Sequence, residues 1–231
     1  MNEGEQRDFT FTEQAYYKPD ERGDVGEWEY DSEMSNDNTA VWHNHNTKQS
    51  HLSNRGSTTS YDWLVSDSQI LTGTEKYGSR FNTSVTAAKS AHSKYGYNLS
   101  TSGHSLGGTT SNYIANEVGD EDWFEGSTTF NKGVSQLSGH RNQCNKPVPP
   151  PKCDKVMNLK ITGDSVSQSN IVCDYVTFGA MPRLCNKQDA LGQTKHLTRK
   201  EMRFYDSRLN PLRFWTRRAR DHSLLSFQNA A

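Results

Sequence analysis

Apolar residues in this chain fall into short runs separated by polar turns, with stretches of helical period between them. Residues 39–43 (Thr-Ala-Val-Trp-His) read as a strand, 44–47 as a turn and 48–54 as the returning strand. Between 78 and 95, Phe81, Val85, Ala88, Ala91 and Tyr95 recur at three- and four-residue intervals, which predicts one long helix. A short strand is expected over 97–101 and a helix over 109–117. Residues 127–133 read as a strand running into a loop. Residues 156–162, with Val156, Leu159 and Ile161 apolar, predict another strand, and 171–178 a further one. Residues 62–71 form a short amphipathic segment through Trp63, Leu64, Ile70 and Leu71. Alternation of strands and helices, with no internal repeat, indicates an α/β fold: a central, mostly parallel sheet flanked by helices.

Residues 1–38 break this pattern. They are turn-rich, with Lys18-Pro19-Asp20 and Arg22-Gly23-Asp24 as breakers. They are read as an acidic N-terminal segment packed on or tethered to the domain, with Tyr16, Tyr17, Trp28 and Tyr30 as anchors. Residues 39–231 are read as a single domain.

Composition adjusts this picture. A chain of 231 residues suits one domain of this class, but only 32% of it is hydrophobic. Its 5 Trp, 10 Tyr and 9 Phe argue against simple disorder. A modest core with long polar loops is expected. Net charge is −1, unevenly spread: residues 1–37 carry 12 acidic and 3 basic side chains, and residues 195–220 carry 9 basic and 2 acidic. The basic end has no interleaved aromatic platform and no helix-turn-helix pattern, so no nucleic-acid partner is expected. No apolar run has the length of a signal peptide or a membrane span, which makes a soluble, cytoplasmic protein the expectation. Cys144, Cys153, Cys173 and Cys185 contain no Cys-x-x-Cys pair, so no metal site is expected. Cys144 and Cys153 bracket a proline-rich stretch and are placed to close a loop, but free thiols are the expectation in the cytosol. Asn82-Thr83-Ser84 and Asn98-Leu99-Ser100 have the acceptor pattern for N-glycosylation, which acts only on a secreted chain.

The chemistry concentrates in Gly103-His104-Ser105-Leu106-Gly107-Gly108. Gly-x-Ser-x-Gly between a strand and a helix builds an elbow that lifts the serine hydroxyl clear of the sheet edge. The two glycines are needed because side chains there would strike the neighbouring strand or helix. A serine nucleophile needs a base, and the base needs an acid to orient it. His104 lies inside the elbow with its side chain directed away from the point of attack. His43, His45 and His51 fall in a polar hairpin and are read as surface residues. His92 falls on the long helix, and His140 and His196 in loops. His222, near the C-terminus, remains as the base. With chain order nucleophile, acid, histidine, the acid lies between them at a strand end. Asp164 follows the 156–162 strand directly; Asp154, Asp174, Asp189 and Asp206 are its competitors.

These residues resemble the class 3 lipase family, which includes fungal triacylglycerol lipases. The resemblance rests on the Gly-His-Ser-Leu-Gly-Gly elbow, on Arg55-Gly56-Ser57 ahead of Asp62-Trp63, on Thr129-Phe130, on Asp164-Ser165-Val166, and on His222 followed by Leu224, Leu225 and Phe227. It spans about residues 30–228. It implies an α/β-hydrolase fold, a Ser105–Asp164–His222 triad, and an oxyanion hole from the backbone N–H groups of Leu106 and Ser57. It implies hydrolysis of a lipid or other carboxylic ester without a cofactor, and peripheral contact with a membrane or lipid surface. The chain departs from the family at three points. The strand over 47–54 is polar where the family's is apolar. Residues 176–183 resemble the family's Thr-Phe-Gly-Ala-Pro-Arg segment but follow Asp164, and if they are its equivalent the acid moves towards Asp206. No long apolar lid is legible, residues 63–71 being the upstream candidate. A hydrolase fold without activity, binding lipid or a protein partner, is the alternative.

Overall fold

The computed structural model describes residues 1–56, 78–133, 149–161 and 191–197. Within them the chain runs α1 (Glu3–Gln14), a 3-10 turn (Pro19–Glu21), β1 (Glu29–Tyr30), β2 (Thr39–Asn44), β3 (Gln49–Asn54), α2 (Ser79–Tyr95), β4 (Asn98–His104), α3 (Leu106–Val118), β5 (Phe124–Phe130), a 3-10 turn (Pro151–Cys153), β6 (Val156–Ile161) and β7 (Gln193–Leu197). The strands form one sheet in sequence order, β1 to β7. β1, β2 and β3 are antiparallel neighbours; from β3 onward every pair is parallel.

Sequential order has a topological consequence. Right-handed crossovers that always step in the same direction put their helices on the same face of the sheet. α2 and α3 share that face, over Val41, Leu52, Leu99, Phe124 and Val156, with Ala88 and Ala91 from α2 and Ile114, Ala115 and Val118 from α3. The opposite face would then face water, and α1 covers it.

α1 begins with a reciprocal cap that satisfies donors at the first turn. The Glu5 N–H donates to Asn2 Oδ1 at 2.8 Å, and the Asn2 N–H to Glu5 Oε2 at 2.9 Å. Phe9 meets Phe130 edge-on with ring centroids 5.5 Å apart and joins Leu159, Ile161 and Leu197. Phe11, fully buried, packs with Trp28, Trp42, Ala15 and Ala40 and stacks on the His51 ring at 4.2 Å. The segment read as turn-rich therefore opens with three helical turns whose apolar positions lie against the sheet. Arg22 anchors the chain between α1 and β2: its buried guanidinium donates to the carbonyls of Ala15, Tyr17, Asn36, Asp37 and Thr39.

The polar strand is the larger surprise. β3 is central and buried from Ser50 to Asn54. Its polar side chains are matched by polar partners instead of being replaced by apolar ones. On the α1 face, His51 bonds through Nδ1 to Ser100 Oγ at 2.8 Å and through Nε2 to Ser102 Oγ at 2.9 Å. Ser102 also meets Ser53 and the Thr12 hydroxyl of α1. On the other face, Asn54 accepts from Thr39 and donates to Ser111, which itself donates to the Ser102 carbonyl. Buried polar groups are tolerated when paired in this way.

Several expectations are corrected here. His43 and His51 are buried, at 2% and 0% exposure; of the three hairpin histidines, His45 alone is exposed. His43 lies between Asp31 Oδ2 at 3.0 Å and Ser50 Oγ at 2.8 Å. His196 lies in strand β7, not in a loop. Cys153 is disulfide-bonded rather than a free thiol, and the cysteines left open for pairing with it lie outside the described residues. The expected segments over 62–71 and 171–178 also fall outside them.

Candidate active site

The site is assembled at the carboxyl ends of the parallel strands. Pairing aligns Asn54 of β3 with Gly103 of β4, and His104 of β4 with Phe130 of β5. Arg55-Gly56, Ser105 and Asn131-Lys132-Gly133 therefore leave the sheet side by side.

Between β4 and α3 the chain turns at Ser105 with φ 55° and ψ −124°. A non-glycine residue there is strained, by about 1–3 kcal/mol, and holds only where its surroundings over-determine it. The surroundings do so here. The Ser105 N–H donates to the Phe130 carbonyl at 3.1 Å, while its own carbonyl accepts from Thr109 N at 3.1 Å and Gly133 N at 3.3 Å. A Cβ on Gly103 would lie 2.4 Å from the backbone of Gly107, and one on Gly107 would lie 2.0 Å from the Asn54 carbonyl oxygen. The first turn of α3 is thus pressed against both its own strand and the end of β3. Ser105 remains half-exposed among buried neighbours.

Leu106 is the first residue of α3. Amides in a helix's first turn have no acceptor within the helix and carry the positive end of its dipole. An oxyanion formed at Ser105 would meet that end.

Around the elbow lies a second set of contacts. Tyr16, just past α1, places its hydroxyl 2.7 Å from His104 Nδ1. Gly56 lies against the same oxygen, which an added Cβ would approach to 2.2 Å, and burial pushes the phenol up to about 12, so it stays protonated. The phenol and the imidazole share one hydrogen bond, whose direction follows the tautomer of His104. The His104 ring is thereby held against Tyr16. From the other side, Arg80 in the first turn of α2 donates to the Arg55 carbonyl.

Of the expected site residues, Ser105 and Leu106 stand at the elbow as described, whereas Ser57, Asp164 and His222 lie outside the described residues. So do the alternative acids Asp174, Asp189 and Asp206. Asp154 is eliminated: it precedes β6, at the amino end of the parallel strands and therefore at the opposite end of the sheet from Ser105. Sequence reasoning missed Tyr16 as the partner of His104, and Arg80 and Arg22 as partners of backbone groups. Tyr16 stood out only as an aromatic anchor, and nothing in its spacing links it to His104. Among the described residues no group of three His, Cys, Asp or Glu side chains is placed to hold a metal ion.

No protein-family model and no curated protein sequence matches the chain. Solved structures do resemble it. A fungal lipase–inhibitor complex, presented as a model for interfacial activation in lipases, aligns with TM-score 0.51 and 15% identity over 74% of each chain. Lip2 lipase from Yarrowia lipolytica aligns with TM-score 0.51 and 14% identity, over 87% of this chain and 80% of its own. A mutant of MDLA from Penicillium cyclopium aligns with TM-score 0.50 and 13% identity, over 90% and 85%. At these identities the likeness establishes the fold, an α/β-hydrolase arrangement of the fungal-lipase type.

Proposed function

We propose that this chain is a serine esterase of lipase type, acting on carboxylic esters of a lipid. The observation that carries the reading is the backbone of Ser105. A strained serine at the carboxyl end of a central parallel strand, wedged by glycines with no room for a Cβ, is the geometry of a nucleophile elbow.

In the proposed reaction Ser105 Oγ attacks the ester carbonyl and its proton passes to the His222 imidazole. Asp164 orients that imidazole and stabilises its protonated form. Negative charge on the carbonyl oxygen is met by the N–H groups of Leu106 and Ser57, each worth about 3 kcal/mol in the transition state. Collapse breaks the bond to the alcohol, which leaves with the proton from His222. Water, deprotonated by His222, then attacks the acyl-enzyme, and the acid departs as Ser105 recovers its proton.

A lipid substrate is supported by the fungal lipase fold, one of whose representatives is described in terms of interfacial activation. Among the described residues no helix is long and apolar enough to cross a membrane, so contact with a lipid surface would be peripheral. The Cys153 disulfide supports an oxidising compartment over the cytosol.

Hydrolysis of p-nitrophenyl esters tests the reading. Wild type should turn over, and Ser105→Ala should fall to background. Asp164→Asn should lower kcat by about 10⁴-fold, as loss of the orienting carboxylate does in such triads. If Asp206→Asn or Asp174→Asn causes that loss instead, the acid is reassigned. If wild type shows no hydrolysis above background, the reading fails.

A further inference from the structure

One peptide group is held from both ends beside the elbow. It joins Arg55 to Gly56, immediately after β3. Its carbonyl accepts from Arg80 of α2, and its Gly56 end lies against the hydroxyl of Tyr16, just past α1. The same hydroxyl lies 2.7 Å from Nδ1 of His104, the residue before Ser105. Two helices from opposite faces of the sheet therefore bracket one peptide group, and one of them also holds the elbow.

The fit is close. A Cβ on Gly56 would lie 2.2 Å from the Tyr16 oxygen and 2.9 Å from the His104 carbonyl oxygen. Glycine is required because the phenol and the elbow backbone both fill the space where a side chain would start.

We propose that Tyr16 is a positioning residue for catalysis: its hydroxyl, bonded to His104 and packed against Gly56, sets the spacing between the nucleophile elbow and the strand end that leads into Ser57. This rests on the ester-hydrolase reading, in which Leu106 and Ser57 supply the two oxyanion donors. In the sequence the two donors follow the ends of different strands, β4 and β3, so their separation depends on whatever ties those two strand ends together. Neighbouring strands are tied by the sheet up to the Asn54–Gly103 pair; beyond it, Gly107 packs against Asn54 and Arg55, and the Tyr16 hydroxyl joins His104 to Gly56. A transition-state charge is stabilised only by donors already at the right distance, and a shift of about 1 Å is enough to cost around a hundredfold in rate.

The test is Tyr16→Phe, which keeps the ring and removes the hydroxyl. Titrating active sites with a fluorophosphonate separates the number of competent sites from the rate at each. The expected result is a kcat per titrated site lower by roughly 10- to 100-fold, with KM within about twofold. Affinity for an alkylboronic acid, which forms a tetrahedral adduct on the serine, should fall in parallel with kcat/KM. A merely structural role would lower the fraction of titratable sites or the melting temperature and leave kcat per site unchanged; that outcome overturns the proposal. Should Tyr16→Phe yield too little folded protein, His104→Phe removes the same hydrogen bond from the other side, and an unchanged kcat per titrated site in it overturns the proposal; where Tyr16→Phe folds, coupling gives a second reading. Gly56→Ala should be impaired because its methyl group meets the hydroxyl, and adding Tyr16→Phe should restore part of kcat per site. Effects that simply multiply would count against the link. If wild type itself neither labels nor hydrolyses esters, the ester-hydrolase reading has failed and Tyr16 positioning with it. If wild type works and Tyr16→Phe matches it per site, only the positioning role has failed.

Discussion

Ser105 is where a local cost serves the site. Its φ of 55° disfavours any side chain, and neither alanine nor serine relieves it. Glycine would. Ser105→Gly should therefore melt higher than Ser105→Ala, by the equivalent of about 1 kcal/mol, although both lack the proposed nucleophile. Calorimetry of the two variants checks this; equal melting temperatures would mean that the elbow stores no strain. The glycines around Ser105 were legible because their spacing encodes a steric demand that depends on little else. The histidines were not. His51 sits among Lys48, Gln49, Ser50 and Ser53, a run that reads as solvated, yet it is wholly buried. Its partners Ser100, Ser102 and Thr12 lie on other elements, so nothing local reveals that the polarity is matched.

That burial has a pH signature. Desolvation, with Arg7 nearby, holds His51 well below its ordinary value of 6.5, and burial also lowers His43. Below about pH 6.5 the unfolded chain takes up protons that the folded chain refuses, so stability falls as pH drops, by up to about 1.4 kcal/mol per pH unit per histidine. Asp8, across from His51 at 3.8 Å, works in the opposite sense. Its burial raises its carboxyl above 3.8, so its ionisation costs stability as pH rises through the raised value. Asp31, lowered on balance by its Lys94 bond, contributes stability at neutral pH that is lost only in strong acid. In urea melts at pH 7 and pH 5.5, wild type should lose stability on acidification. His51→Gln should start weaker at pH 7 and lose less. An unchanged difference between the two pH values would contradict the neutral, buried assignment of His51.

At the level of elements, α1 decides whether the sheet has a second covered face. α2, α3 and strands β2 to β6 were readable from period and spacing, with boundaries shifted by a few residues. α1 was obscured because its acids and threonines outnumber its apolar residues, and β7 because it is a short, largely exposed strand within a basic stretch. Phe11 is the test of α1. It is fully buried against Trp28, Trp42 and His51, and truncation to alanine should destabilise the protein by about 3–5 kcal/mol. A loss under about 1 kcal/mol in denaturant melts would show that α1 is dispensable to the sheet. The same helix delivers Tyr16, so its docking and the geometry at Gly56 are linked.

For the whole molecule, one topological choice accounts for most of what is seen. Sequential strand order gathers α2 and α3 on one face, leaves the other to α1, and brings the ends of β3, β4 and β5 together under a single serine. Fold class was legible from the alternation of strands and helices. The polar composition that suggested a modest core turned out to include buried polar pairs on the central strands, which no hydrophobic pattern can signal. Everything proposed for the site depends on Ser105 being the nucleophile, and intact-mass analysis after fluorophosphonate treatment examines that directly. One adduct per chain is expected, mapped to Ser105, absent from Ser105→Ala, and accompanied by loss of ester hydrolysis. An unlabelled wild type, or equal labelling of Ser105→Ala, would contradict it.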